Sequence, residues 1–257
     1  MGEPRGNRPV SKTDGYRIYA IGDIHGCLAE LEAMQARIAA DLVASPHPKP
    51  LVIYLGDYMD RGPDCRGVLE NLMQANTPAL PARFLYGNHD SYPKLFLRDP
   101  LGMHGCQYHW LDPVMGGQVT LESYGAWGAT VPKAETFRDA FQDVYPQAHY
   151  DWVEGCERSI HIGGYFFAHA GVDPSRPLDG QLEYDLIWIR QPFLNFTGNY
   201  GAVVVHGHTP VQEVENHGNR IAVDTGAVFG RKLSCLVLED DVQALLEPSG
   251  RTACPVR

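Results

Sequence analysis

The stretch RIYAIGDIHGCLAELEAM, residues 17–34, changes pattern abruptly. Arg17 to Ile21 alternates around β-formers and reads as a strand. From Cys27 onward Leu28, Leu31, Met34 and Ile38 recur at helical spacing, with Glu30 and Glu32 favouring the helix start. Between strand and helix lies the glycine-flanked turn GDIHG (22–26). It sets a carboxylate and an imidazole at the carboxyl end of a strand, where open α/β sheets bind their ligands. The plainer alternative is that Asp23 simply caps the helix that follows.

The same break recurs along the chain. PLVIYLG runs into Asp57, Asp60 and Arg61, and ARFLYG runs into Asn88, His89 and Asp90. GGYFFA ends at His169, AVVV at His206 and His208, and RIAV at Asp224, whereas the last strand, LSCLVLE, ends on no such residue. Helical segments at Cys27–Ala44 and about Pro63–Ala75 separate the early strands, and after about residue 157 strands follow one another through short turns. A βαβαβ first half and a β-rich second half predict two packed sheets with helices outside. Residues 95–155, with KAETFRDAFQDV and AHYDWVEGC, predict a helical insertion beside the site, either a packing element or a substrate-selecting cap. Residues 1–15 are expected to form a disordered arm, 16–245 the catalytic domain and 246–257 a tail.

Asp23, His25, Asp57, Asn88, His169 and His208 thus offer carboxylate, imidazole and amide oxygen, each just after a strand. Oxygen and nitrogen donors without thiolate suit Mn²⁺, Fe or Zn²⁺. Six ligands exceed what one open catalytic ion takes, but fit two ions ~3.5–4 Å apart sharing a carboxylate.

The ordered motifs GDIHG, GDYMDRG, GNHD, HAG and GHTP, followed by VDTGAVFG, resemble the phosphoprotein phosphatase branch of the binuclear metallophosphoesterases. The likeness is nearest to the bacterial and phage (lambda phosphatase-like) serine/threonine phosphatases. It implies an α/β calcineurin-like fold of two mixed sheets flanked by helices, an αββα sandwich. It also implies two divalent ions, Mn²⁺ first with Fe or Zn²⁺ as alternatives. One would be held by Asp23, His25 and Asp57, the other by Asp57, Asn88, His169 and His208. By the same resemblance His89 is the general acid, Asp60 its orienting carboxylate, and Arg61, Arg190 and Asn88 bind phosphate. The implied reaction is hydrolysis of phosphomonoesters, phosphoserine and phosphothreonine in proteins foremost, by direct attack of a hydroxide bridging the ions. Simpler readings stand beside these: a surface ion pair for Asp60 and Arg61, a structural salt bridge for Arg190, and supporting roles for His206 and Asp224.

Two details sort the relatives. Pro210 in GHTP cannot ligate, as in the phosphoprotein phosphatases. Asp90 in GNHD stands where protein phosphatases usually carry glutamate, a feature familiar in symmetrical diadenosine tetraphosphatases. Dinucleoside polyphosphate hydrolysis is therefore the alternative activity, and a catalytically silent metal-binding regulator the alternative of another class.

Composition narrows the rest. A net charge of −10 and a pI near 5.5 argue against a nucleic-acid binder, which would need a basic face. No apolar run reaches the ~18 residues of a membrane span, and the polar first residues lack a signal-peptide core. Six scattered cysteines without a C-x-x-C pair read as reduced thiols. Together these predict a cytoplasmic protein, and the resemblance implies a phosphorylated protein or a small phosphoester as its substrate.

Overall fold

A computed structural model describes residues 13–128 and 133–257. The expected N-terminal arm lies almost wholly outside the described residues. Strand β1 (Arg17–Ile21), helix α1 (Leu28–Ala44), β2 (Pro50–Tyr54), α2 (Cys65–Ala75) and β3 (Ala82–Phe84) form the predicted βαβαβ half. β1, β2 and β3 are parallel neighbours. In the second half come β4 (Ser159–Ile162), β5 (Tyr165–Ala168), α7 (Glu183–Trp188), β6 (Val203–His206), β7 (Glu215–Asn216), β8 (Arg220–Ala222) and β9 (Cys235–Glu239). A hairpin, β10 (Val242–Glu247) and β11 (Gly250–Ala253), closes the chain.

These strands make two mixed sheets, ordered β11-β10-β9-β1-β2-β3 and β4-β5-β6-β8-β7. The pleat decides what each residue covers. Ile18, Ala20, Leu51 and Ile53 point between the sheets, meeting Tyr165, Phe167, Val203 and Val205 of the second sheet. Their alternates Tyr19, Ile21, Val52 and Tyr54 pack outward on the helices. Leu31, Met34 and Ile38 supply the α1 stripe, and Val68, Leu69 and Leu72 that of α2. Asp64 caps α2 by accepting the Gly67 N–H at 2.7 Å. Helix α1 is different: Cys27 occupies its cap position and no side chain caps it. The capping alternative for Asp23 is thereby excluded.

Residues 246–257 are not an appended tail. Val242, Ala244 and Leu246 alternate as a strand should, and β11 pairs antiparallel with β10 from Gly250 to Ala253, extending the first sheet. The segment between β3 and β4 carries α3 (Tyr92–Arg98), α4 (Gly117–Ser123), α5 (Ala134–Val144) and α6 (Gln147–Glu154). It has its own aromatic core, including Tyr92, Phe96, Trp110, Tyr124 and Phe141. All six cysteines are free thiols. Among the described residues no helix is long and apolar enough to cross a membrane.

Candidate metal centre

The ends of β1, β2, β3, β5 and β6 converge at one rim of the sandwich, and the loops leaving them carry the candidate ligands. Those loops turn sharply. Of the eight non-glycine residues with positive φ among the described residues, five belong here: His25, Asp57, Asp60, Arg61 and His208. Such backbone is costly and tends to collect at functional sites. Gly207 leaves room for it, since a Cβ there would collide with Asp23 Oδ1.

Asp57 lies at the centre. Its Oδ2 is 3.5 Å from His25 Nε2, and its Oδ1 is 3.3 Å from His169 Nε2. Asn88 Oδ1 lies 3.0 Å from His169 Nε2. Two compact groups result, His25–Asp57–His89 and Asp57–His169–His208, with Asp57 common to both. The imidazoles are aimed by their other nitrogen: His25 Nδ1 donates to the Met59 carbonyl at 2.7 Å, and His169 Nδ1 to that of Leu55 at 2.8 Å. Each Nε2 is left facing the cluster, as metal-ligating histidines require.

Electrostatics describe a site short of positive charge. Burial, then Asp224 nearby, pushes the Asp23 carboxyl well above its ordinary range. Burial also penalises charge on Asp57 and His169, yet their attraction prevails. Asp57 is held well below the usual carboxylate range, and His169 is raised to about 10. Burial lowers His25 to about 3 and takes His208 well below its ordinary value. Asp23 Oδ1 and His208 Nε2 are buried with no hydrogen-bond partner. Unpaired buried acceptors of this kind cost free energy unless something donates to them. A cation does so, and the oxygen and imidazole donor set fits a divalent ion.

The remaining predicted residues fall around this cluster. His89 Nδ1 donates to Asp60 Oδ2 at 2.7 Å, and Arg61 spans the two histidine rings, with Nη1 2.7 Å from His25 Nε2 and Nη2 2.8 Å from His89 Nε2. Asp60 and Arg61 therefore do not form the ion pair considered from sequence. Arg190 is exposed at the cavity wall, and its side chain has no carboxylate partner among the described residues. His206 is no ligand: it is buried against Phe193, with Nδ1 3.1 Å from the Gly207 carbonyl and Nε2 3.5 Å from Arg220. Asp224 accepts the Gly226 N–H at 2.8 Å and supports the loop beside Asp23.

Asp90, next to His89 in GNHD, is turned to the backbone. Its carboxylate faces away from the cavity and accepts the backbone N–H groups of Asp57, Tyr58 and Gly87 at 2.8, 2.8 and 2.9 Å. It ties two ligand loops together and makes no wall of the cavity. Burial raises it to about 7.

Sequence reading missed what the insertion contributes. The cavity, about 220 Å³, is floored by Asp57, Asn88, His89 and His208 and walled by Cys106, Gln107, Tyr108, Val114 and Met115. Trp110 and Thr120 reach Asp60 directly, Nε1 donating to Oδ2 at 2.9 Å and the hydroxyl to Oδ1 at 2.6 Å. No motif marks them, although a tryptophan buried in an apolar cluster needs an acceptor for its N–H. A roomier groove between α1 and α2, about 670 Å³, holds none of the ligating residues, so size does not locate the chemistry.

Residues 16–242 match the calcineurin-like phosphoesterase family. The chain belongs to that family. It is a metallophosphoesterase, and divalent ions are its implied cofactors. Among curated relatives, bis(5'-nucleosyl)-tetraphosphatase PrpE of Bacillus cereus (strain ATCC 10987 / NRS 248), qualified as asymmetrical, is 28% identical over 236 residues, covering 84% of this chain and 88% of the relative. The protein of the same name from Bacillus thuringiensis (strain Al Hakam) is 26% identical over 239 residues, with 84% and 88% covered. Solved structures share the fold. A candidate diadenosine tetraphosphatase superposes with a TM-score of 0.60 at 19% identity, covering 97% of both chains. The cold-active protein-tyrosine phosphatase of a psychrophilic Shewanella gives 0.58 at 16% identity, over 99% of this chain and 89% of that one.

Proposed function

We propose that this metallophosphoesterase hydrolyses dinucleoside polyphosphates, cleaving a bis(5'-nucleosyl) tetraphosphate unequally into a nucleoside monophosphate and a triphosphate. This reverses the order expected from sequence, where serine/threonine protein phosphatase came first and symmetrical cleavage was the alternative. The observation that carries it is the match over 84% of the chain to relatives named as asymmetrical tetraphosphatases. The cavity supports the same reading. Arg61 and Arg190 give it two guanidinium groups, whose planar forks suit phosphate oxygens. Aromatic surface surrounds them: Tyr108 and Trp188 line the cavity, and Phe229, 56% exposed, lies 5.8 Å from the Arg61 guanidinium. Exposed aromatic faces are what nucleobases stack upon.

In this proposal Asp23, His25 and Asp57 hold one ion, and Asp57, Asn88, His169 and His208 the other. When bound, the ions supply Lewis-acid charge beside the phosphoryl group and make water acidic enough to act as nucleophile near neutral pH. Arg61, released from the two histidine rings, and Arg190 orient the phosphate, with Asn88 reaching it from the cavity floor. His89, its Nδ1–H fixed on Asp60, delivers a proton from Nε2 to the leaving oxygen. The departing oxygen of a polyphosphate is a weaker base than an alkoxide, so this proton matters less for anhydrides than for alkyl esters.

The test is direct. Purified protein loaded with Mn²⁺ is given diadenosine tetraphosphate and, separately, a phosphoserine peptide. AMP plus ATP in equal amounts, formed much faster than peptide phosphate, is expected. ADP as the sole product would move the scissile bond, and faster release from the peptide would overturn the substrate class.

A further inference from the structure

The insertion reaches the pair His89–Asp60 through the side chain of Asp60. Asp60 is fully buried, and its two oxygens accept from donors of three separate segments. Oδ2 accepts from His89 Nδ1 at 2.7 Å and from Trp110 Nε1 at 2.9 Å. Oδ1 accepts from the Thr120 hydroxyl at 2.6 Å, while the same hydroxyl oxygen accepts the Asp60 backbone N–H at 3.0 Å. Asp60 itself sits in the left-handed region, φ 70°, where an ordinary residue stays only if its surroundings hold it. Trp110 and Thr120 are as buried as Asp60. Trp110 is wedged between Phe96 and Phe141, with ring centroids 4.9 and 6.0 Å away. Thr120 lies on α4, whose Leu121 is part of the same aromatic core.

We infer that Trp110 and Thr120 are positioning residues for the proton donor, so that the helical insertion completes the catalytic apparatus as well as walling the cavity. The inference rests on the acid role proposed for His89. The physical reason is directional. A carboxylate can meet an imidazole through either oxygen and either lone pair, and only one arrangement points His89 Nε2 at the leaving oxygen. The two donors from the insertion fix Asp60 in that arrangement. They also solvate its charge where no water reaches, which a lone His89–Asp60 contact could not do. Removing them frees the carboxylate to turn, and His89 follows.

The experiment uses the full-length protein with two Mn²⁺ equivalents and two aryl esters of AMP, the 4-nitrophenyl ester with a good leaving group and the phenyl ester with a poor one. The variants are T120V, W110F, the pair combined, T120S and H89N. The combined variant should bind both metals and lose about 10–100-fold in kcat on the phenyl ester, the scale of lost outer-shell support. It should lose only a few-fold on the nitrophenyl ester, with KM unchanged on both. T120S, which keeps the hydroxyl, should restore the wild-type ratio between esters. Independently of turnover, ¹⁵N NMR of the metal-free wild type should report His89 protonated at Nδ1 alone, and the combined variant a mixture of tautomers. Equal losses on both esters together with an unchanged tautomer would overturn the inference. If H89N leaves the ester ratio at its wild-type value, the acid reading fails instead, and the two failures are thus told apart.

Discussion

Two regions meet at the cavity and serve it by different physics. The loops after β1, β2, β3, β5 and β6 are short, glycine-lined and partly left-handed, and each projects one or two polar side chains at a common centre. The insertion between β3 and β4 is helical, held by an aromatic core of its own, and offers mostly apolar side chains to the wall and two donors to Asp60. The first region spends backbone strain to gather charge. The second shapes the space around that charge and, through Trp110 and Thr120, holds the carboxylate that His89 meets.

Substitution of a candidate ligand in the loops should affect metal and catalysis together, whereas substitution of His89 or of the insertion residues should leave the metals in place. The largest effect is expected from Asp57→Asn, which removes the carboxylate common to both groups. Metal content by atomic emission should fall, with activity lost by more than the ~100-fold typical of an outer-shell partner. Retained stoichiometry of two ions would contradict the bridging assignment. His89→Asn should keep both ions and lower kcat by about 10²–10⁴-fold on an alkyl phosphate, less on diadenosine tetraphosphate. Uniform loss across both substrates would remove the distinction between ligand and acid.

Asp90→Ala leaves three buried backbone donors on the ligand loops without an acceptor, each worth ~1–3 kcal/mol. Chemical denaturation should show a loss of several kcal/mol, with the ratio of tetraphosphate to phosphopeptide turnover unchanged. A shift in that ratio would return Asp90 to a role in substrate choice. Phe229→Ala should raise KM for diadenosine tetraphosphate about 10-fold while sparing inorganic tripolyphosphate, as loss of a stacking face would. Equal changes for both would place the nucleobase elsewhere.

The smallest effect belongs to the insertion's own stability. His149 is buried, with Nδ1 2.7 Å from the Tyr124 hydroxyl, and burial holds it below its ordinary value of 6.5 despite Glu70 nearby. Between those two values the unfolded chain binds a proton that the folded chain does not. Stability therefore declines as pH falls below 6.5, by at most about 1.4 kcal/mol per pH unit for one proton. His149→Gln should flatten thermal unfolding against pH relative to wild type between pH 7.5 and 5.5. Identical slopes would mean that this histidine is solvated.

Much of the architecture could be read beforehand because strand and helix periods differ and glycine breaks are local. β1 and α1 followed from Ile18–Ile21 and from Leu31, Met34 and Ile38, and each ligand loop followed from a polar residue placed after an apolar run. The final hairpin was lost because a single alternating strand such as Val242–Glu247 is a weak signal without its partner. Asp23, His25, Asp57, Asn88, His169 and His208 stood out as candidates because each stands beside a glycine or at a strand end, and the structure gathers His25, Asp57, His169 and His208 in the two compact groups.

Contacts across the chain follow a different rule. Which atom of Asp60 meets Thr120, sixty positions away, depends on how α4 packs, and nothing local encodes it. The direction of Asp90 is another such case: the backbone N–H groups of Asp57, Tyr58 and Gly87 hold it. Sequence alone determined the two-sheet frame and the types and order of the candidate donors, because these depend on hydrophobic period and side-chain chemistry. Tertiary packing decided which oxygen faces which donor and what walls the cavity, because hydrogen bonds are directional and their partners meet only once the core has closed.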